Sequence, residues 1–330
     1  WVVAILCVVP GLGAAAASGG IRTKPGHGIA ATMRSIPRMT ATVPAARSVF
    51  ERPAAKNAEA LKLQLLQLGA ALDRGQSYNP TSGEYYGERM AAARERVEDL
   101  VKLAGPPPTS LQDLAGEWEL IFTTVPHGIF RSSPFFLAVQ EAYVRHSLST
   151  REDPTWVDKL GEFLGMEDNS GTSKANLFFK LHELQTCSWG ASKIGRVAQR
   201  VDPEAGMLYS EFDTSIFSLT VIPVLGWFKL LPTFGGCVVT ASTAKMTEPG
   251  RIEMVVDYTT GKKVEGLNGL GRWIWGIKVP VRGIWKILPW NRGREPTCEV
   301  QVVYLDEDFR VVRDIDGEYF VYTRPVLSRD

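Results

Sequence analysis

The residues able to take part in catalysis are few and poorly grouped. His127, His146 and His182 are scattered, and Ser132-Ser133 runs straight into Pro134. No G-x-S-x-G elbow, H-E-x-x-H helix or G-x-G-x-x-G loop occurs, so each imidazole reads as an ordinary surface or core histidine. Asp306, Glu307 and Asp308, with Asp314 and Asp316, superficially resemble a calcium loop. They lack the twelve-residue ligand spacing and the closing Glu, and read as solvated turns at strand ends. With Cys7 set apart near the start, Cys187, Cys237 and Cys298 form an odd, widely spaced set without a C-x-x-C pair. That argues against a disulfide framework or a structural zinc site. Nothing beside Cys187 in sequence lowers the pKa of its thiol. No catalytic residue, metal or cofactor is therefore expected.

Binding chemistry has better material. Gly266 to Arg294 contains Trp273, Trp275, Trp285 and Trp290 with Arg272, Lys278, Arg282, Lys286, Arg292 and Arg294, and no acidic residue. Indole rings favour the headgroup level of a bilayer, and Lys or Arg stems lie along apolar surface while their charges reach anionic heads. Six cations near such a surface contribute about 1 kcal/mol each before losses. The same residues also suit a cover over a sheet edge, internal Arg–Trp packing or single-stranded nucleic acid. Ile216 to Val224, continuing through Leu225-Gly226-Trp227-Phe228-Lys229-Leu230-Leu231-Pro232, is strongly apolar with one charge. Pro223, Gly226 and Pro232 unfit it for a spanning helix. A flap, a membrane-dipping loop and a buried strand with its turn remain open for it.

These segments need a scaffold, and the periodicity supplies one. Leu61, Leu65, Leu68 and Leu72 line one face of a helix over Ala58 to Asp73, with Gly75 placed to stop it. A second helix runs from about Gly87 to Ala104 on Met90, Ala93, Val97, Leu100 and Val101, and Gly105 with Pro106-Pro107-Pro108 ends it. After Leu114 the period becomes two, placing Trp118, Leu120 and Phe122 on one side of a strand. Further strands are predicted at Ala175 to Leu184, Gly195 to Asp202, Gly206 to Asp213, Gly236 to Thr247, Arg251 to Thr260, Thr297 to Leu305, Phe309 to Asp314 and Glu318 to Arg324. Gly- and Pro-bearing turns at Asp202 to Gly206, Glu248 to Gly250 and Asp314 to Gly317 make successive hairpins. A meander this long generally closes to remove its edges. The expected architecture is mainly β, an antiparallel barrel over 111–330 behind a helical cap over 51–110, with no internal repeat. Glu152 to Ser173 reads as a polar, looped insertion.

Composition agrees with a globular chain: 330 residues, 45% hydrophobic and 22% charged, with a formal net charge of +1. That balance argues against a nucleic-acid platform. The charge is uneven, because Arg22, Lys24, Arg34, Arg38 and Arg47 precede the first acid, Glu51. Trp1 to Leu12 is apolar and leads into small residues, and from about Ser18 to Phe50 the chain is rich in Ala, Ser, Thr, Arg and Pro. Residues 1–18 are signal-like and 19–50 transit-like, the order of bipartite targeting to a plastid enclosed by extra membranes. A disordered secretory pro-region is the alternative.

Several segments in register carry a resemblance. Asp73-Arg74-Gly75, Leu114-Ala115-Gly116-Glu117-Trp118-Glu119-Leu120-Ile121-Phe122-Thr123-Thr124 and Phe130-Arg131-Ser132-Ser133-Pro134-Phe135-Phe136 stand in the first half. Ile194 to Val197, Val201 to Gly206, Tyr304 to Arg313 and Gly317 to Val321 follow in order. Together, over about 58–323, they resemble the plastid lipid-associated protein family, the fibrillins or plastoglobulins. The resemblance implies a lipocalin-like barrel that holds a hydrophobic molecule at plastoglobules, thylakoids or in the stroma. It implies that Trp118 closes the barrel floor against Arg310 or Arg313. The expected cargo is an apolar lipid or isoprenoid such as a fatty acid, quinone or carotenoid. Leu120, Phe122, Phe135, Phe136, Trp227 and Phe228 are its expected wall, and Arg196 or Arg310 would meet a carboxylate. The alternative is a coat of lipid particles or a docking subunit of a photosynthetic complex, its barrel filled by side chains.

Overall fold

A computed structural model describes residues 58–76, 83–125, 128–149, 192–216, 234–262, 276–287, 291 and 293–327. All fall within one unit, Asn57–Asp330. The targeting region expected over 1–50, the strand expected at Ala175 to Leu184 and the insertion expected at Glu152 to Ser173 lie outside the described residues. Eight strands carry the fold: β1 (Gly116–Thr123), β2 (Ser192–Asp202), β3 (Met207–Ile216), β4 (Phe234–Glu248), β5 (Arg251–Lys262), β6 (Thr297–Leu305), β7 (Phe309–Arg313) and β8 (Tyr319–Thr323). Each pairs antiparallel with its neighbour in sequence, and β8 returns to β1, so the sheet closes in a ring. The turns do what their residues predicted. The Asp202 carboxylate accepts from the Ala205 amide at 3.0 Å, and Gly317 N–H donates to the Asp314 carbonyl at 3.2 Å.

Period two decides which side chains face inward. Ile252, Met254 and Val256 on β5 alternate with partly exposed residues, as do Cys298, Val300 and Val302 on β6. β1 breaks this rule. Leu120 pairs with Tyr322, but Phe122 pairs with Val321, so a bulge at Ile121 turns the rest of the strand over. Trp118 and Leu120 belong to the interior cluster, whereas Phe122 stands on the outer face. The expectation that all three share a side, with Phe122 lining the interior, is corrected by that one extra residue.

The outer face of β1, β7 and β8 is covered by α1 (Ala58–Ala71) and α2 (Gly83–Val101). The alternation is therefore lost on β7 and β8, where four of five residues are buried in each strand. Lys62 of α1 reaches Asp306 at 2.6 Å and lies 5.9 Å over the Phe309 ring, while Arg94 of α2 pairs with Glu318. Burial works against the Lys62 charge, but the hydrogen bonds it donates to Asp306 and Glu59 outweigh this and hold its pKa above the usual lysine value. The chain leaves α1 through three left-handed residues, Asp73, Arg74 and Gly75. Only glycine fits the third, since φ is +92° and a Cβ would sit 2.6 Å from the Thr123 carbonyl oxygen.

Two helices were not foreseen. α3 (Pro134–Ser149) follows a 3-10 turn at Gly128–Ser132, and α4 (Val281–Ile287) packs on β5. Every residue from Gly128 to Glu141 is buried. Residues 134–139, which open α3, are apolar at every position and leave no 3.6-residue contrast for a sequence pattern to catch. Pro134 starts α3, where its missing N–H is one of the orphans of a helix start.

Candidate functional site

The best-defined constellation is built on the start of β1. Trp118 is fully buried, and its indole N–H donates to the Leu114 carbonyl at 2.9 Å. Arg324 stacks 3.7 Å from the indole ring and Arg310 5.0 Å from it. Gly116 explains the Gly-x-Trp spacing. Its φ is +95°, and a Cβ there would come within 2.8 Å of the Arg324 guanidinium. Arg324 is held by donating to the carbonyls of Ala115 at 2.7 Å and Glu117 at 3.2 Å. Of the two partners that the resemblance implied for Trp118, Arg310 is the one beside its ring. Arg313 turns away and donates to Gln301 at 2.5 Å. Arg324 was missed, and the Gly two residues before Trp118 is the signal that makes room for it.

Arg310 is 1% exposed and projects from β7 across Tyr322, 4.4 Å from that ring, to the Gln199 amide oxygen at 2.6 Å. Gln199 in turn donates to the Ser132 carbonyl at 2.8 Å, linking the floor to the segment before α3. Burial pushes Arg310 down to about 10 and the Tyr322 phenol up to about 12.

The same segment supplies Phe135 and Phe136. Both are in the interior cluster, with Phe136 at 5.5 Å from Phe130 and Phe130 stacked on Phe212 at 6.2 Å. Phe135 meets Trp285 of α4 edge-on at 6.4 Å. Arg131 anchors the segment by donating to Asp314 at 2.9 Å and Asp316 at 3.1 Å, and Gln140 also bonds Asp316. Cys298 donates from its thiol to the Pro134 carbonyl at 3.4 Å, and the Glu141 carboxylate accepts from the Glu299 amide at 2.5 Å.

The remaining expected residues divide as follows. Leu120 faces inward beside Tyr322. Arg196 stands on the outer face, paired with Glu117, Glu119 and, at 3.5 Å, Glu211. Three protein carboxylates already take the charge that was expected to meet a ligand, so Arg196 does not serve the interior. Trp285 is buried, while Arg282 pairs with Glu295 at 2.8 Å and Asp257 at 3.2 Å. Lys286 also reaches Glu295, at 2.6 Å, and these two cations hold the Glu295 carboxyl below its usual value. Lys278 lies 4.6 Å over the Tyr258 ring. Of these four side chains Trp285 is buried, while Arg282, Lys286 and Lys278 are partly or fully exposed and meet acids or a ring of the same chain. Ile277 and Ile287 beside them are exposed. Trp227, Phe228, Arg272, Trp273, Trp275 and Trp290 lie outside the described residues, as do His127, His182, Cys187 and the side chain of His146.

Among the described residues no cluster of His, Cys, Asp or Glu is arranged to hold a metal, and no helix is long and apolar enough to cross a membrane. No family model, curated protein or solved structure matches the chain.

Proposed function

We propose that the chain is a non-catalytic, lipocalin-like barrel of the plastid lipid-associated, or fibrillin, type. It binds or sequesters an apolar lipid, quinone or carotenoid at a thylakoid or plastoglobule surface. The observation that carries this reading is the inward face of the closed ring. Leu120, Phe212, Val238, Met254 and Val300 present hydrocarbon there, and Trp118 is buried between two guanidiniums. Burying a ligand's carbon against such a surface stabilises the complex by roughly 25 cal/mol per Å², with a few polar groups fixing the head. The acid-free targeting stretch before Glu51 supports a plastid destination. The exposed Ile277 and Ile287, next to Lys278 and Lys286, support contact with a lipid surface.

A second reading has its own observation. Residues Gly128 to Glu141 are buried without a break, and Phe130, Phe135 and Phe136 sit in the interior cluster. A ring filled by its own chain suits a lipid-particle coat or a docking subunit of a photosynthetic complex. Native mass spectrometry and lipid extraction on the full chain purified from its native membrane separate the two. A stoichiometric lipid or pigment is expected. An empty protein that still floats with anionic liposomes overturns the carrier in favour of the coat.

A further inference from the structure

Three guanidiniums are answered by acids, Arg131 by two, Arg196 by three and Arg282 by two, whereas Arg313 and Arg324 donate to amide or carbonyl oxygens near the surface. Arg310, the most buried of them, has no carboxylate partner among the described residues. Its one hydrogen bond to a side chain goes to the neutral amide of Gln199, and its Nε has no partner. Arg324, on the other side of Trp118, adds a second positive charge nearby. An unpaired buried charge is strongly unfavourable, and two aromatic faces offset it only in part.

Two further orphans lie on the same inward face. Ser210 and Ser242 are both 0% exposed, and neither hydroxyl has a partner among the described residues. Ser210 is opposite Gln199 across the β2–β3 register, and Ser242 is opposite Leu208, two residues from Ser210 along β3. The polar row therefore continues from the tip of Arg310 onto β3 and β4. Leu120, Phe130, Phe212 and Val238 make the surroundings apolar.

A hydroxyl can rotate to donate and a guanidinium only donates, so the three groups lack an acceptor in common. A carboxylate has two oxygens, about four acceptor directions, no donor and the missing negative charge. A quinone carbonyl or a carotenoid leaves Arg310 uncompensated. We propose that Arg310, Ser210 and Ser242 form an interior subsite for the carboxylate of a long-chain acid, whose hydrocarbon lies along the apolar wall. This rests on the carrier reading and narrows its cargo from apolar molecules in general to acidic amphiphiles.

The test is equilibrium dialysis of the full chain against radiolabelled oleate, oleyl alcohol and acetate, each below its aggregation limit. Oleate is expected to bind at least about tenfold more tightly than the alcohol, the order of effect of a hydrogen bond to a charged group. Acetate is expected not to compete at equal concentration. Arg310→Gln is expected to remove the preference for the acid. Because that change touches the packing of Trp118, Ser210→Ala with Ser242→Ala provides a gentler variant, expected to lower the acid-to-alcohol ratio severalfold. Equal binding of acid and alcohol overturns the subsite while the carrier stands. Competition by acetate overturns the amphiphile in favour of a small anion. Failure of both long-chain probes to bind overturns the carrier and the subsite together.

Discussion

Arg131→Met isolates the anchor that holds the buried segment to the β7–β8 turn. The Arg131 side chain is 6% exposed and that of Asp314 is 0% exposed, 2.9 Å apart. Removing the cation leaves Asp314 and Asp316 facing Glu318 and Gln140 without it. Breaking a buried pair from one side typically costs about 3–5 kcal/mol. At about 2–4 °C per kcal/mol for a domain of this size, the melting temperature should fall by on the order of 10 °C. The pH dependence sharpens the test. Burial raises the Asp314 carboxyl above its ordinary value; Arg131 opposes the rise, while Asp316 and Glu318 add to it. A carboxyl that holds its proton more tightly when folded contributes stability in acid that is lost as pH rises from the unfolded value near 3.8 through the folded one. Without Arg131 the folded value climbs further, so the deficit of the variant should be largest at neutral pH and shrink towards acid. Asp314→Asn on top of Arg131→Met should recover much of the loss. The oxygen that accepts the Asp316 and Glu318 amides at 3.0 and 2.8 Å has its counterpart in Asn, while the charge is gone. Thermal denaturation followed by circular dichroism from about pH 4.5 to 7.5 measures all three proteins. A single variant that melts with the wild type at neutral pH, or whose deficit ignores pH, refutes the reasoning.

Two further substitutions probe the outer layer. Gly69→Ala places a methyl 2.5 Å from the Ile121 carbonyl oxygen, so α1 must lift off β1. Overpacking of about 1–3 kcal/mol should exceed the gain of about 1 kcal/mol in helix propensity, lowering the denaturant midpoint; a raised midpoint shows that the helix shifts freely. Phe122→Ala empties the space under α1 and should destabilise by about 3–5 kcal/mol while folded protein retains its ligand; a stable but empty variant would return Phe122 to the interior wall.

The strands and their hairpins were legible because each signal was local. Asp202 to Gly206, Glu248 to Gly250 and Asp314 to Gly317 reverse the chain with the residues such turns require, and the runs between them alternate. What failed to show depended on contacts distant in sequence. The bulge at Ile121 exists through the register of β1 on β8, some 200 residues away, and no residue type within β1 announces it. α3 escaped because its opening, residues 134–139, is apolar and buried without a break, which erases the helical period there. Gln199 escaped because its role lies in bridging Ser132 and Arg310, 67 and 111 residues away in sequence.

The candidate site divides along the same line. The resemblance implied Trp118 with Arg310 or Arg313 beside it, and of these two Arg310 lies 5.0 Å from the indole ring while Arg313 donates to Gln301. The allocation of charge was not readable. Arg196 and Arg310 looked equivalent as carboxylate partners in one dimension. Strand parity separates them: Arg196 falls on the outer face among Glu117, Glu119 and Glu211, while Arg310 falls inside with only an amide and aromatic rings. Parity on β2 is itself interrupted by an irregularity between Ile194 and Val197. Counting by twos from either end of the strand therefore gives opposite answers for Arg196. Which arginine meets acids and which meets an amide and rings is thus decided by sheet register, and a one-residue slip in that register would exchange their surroundings.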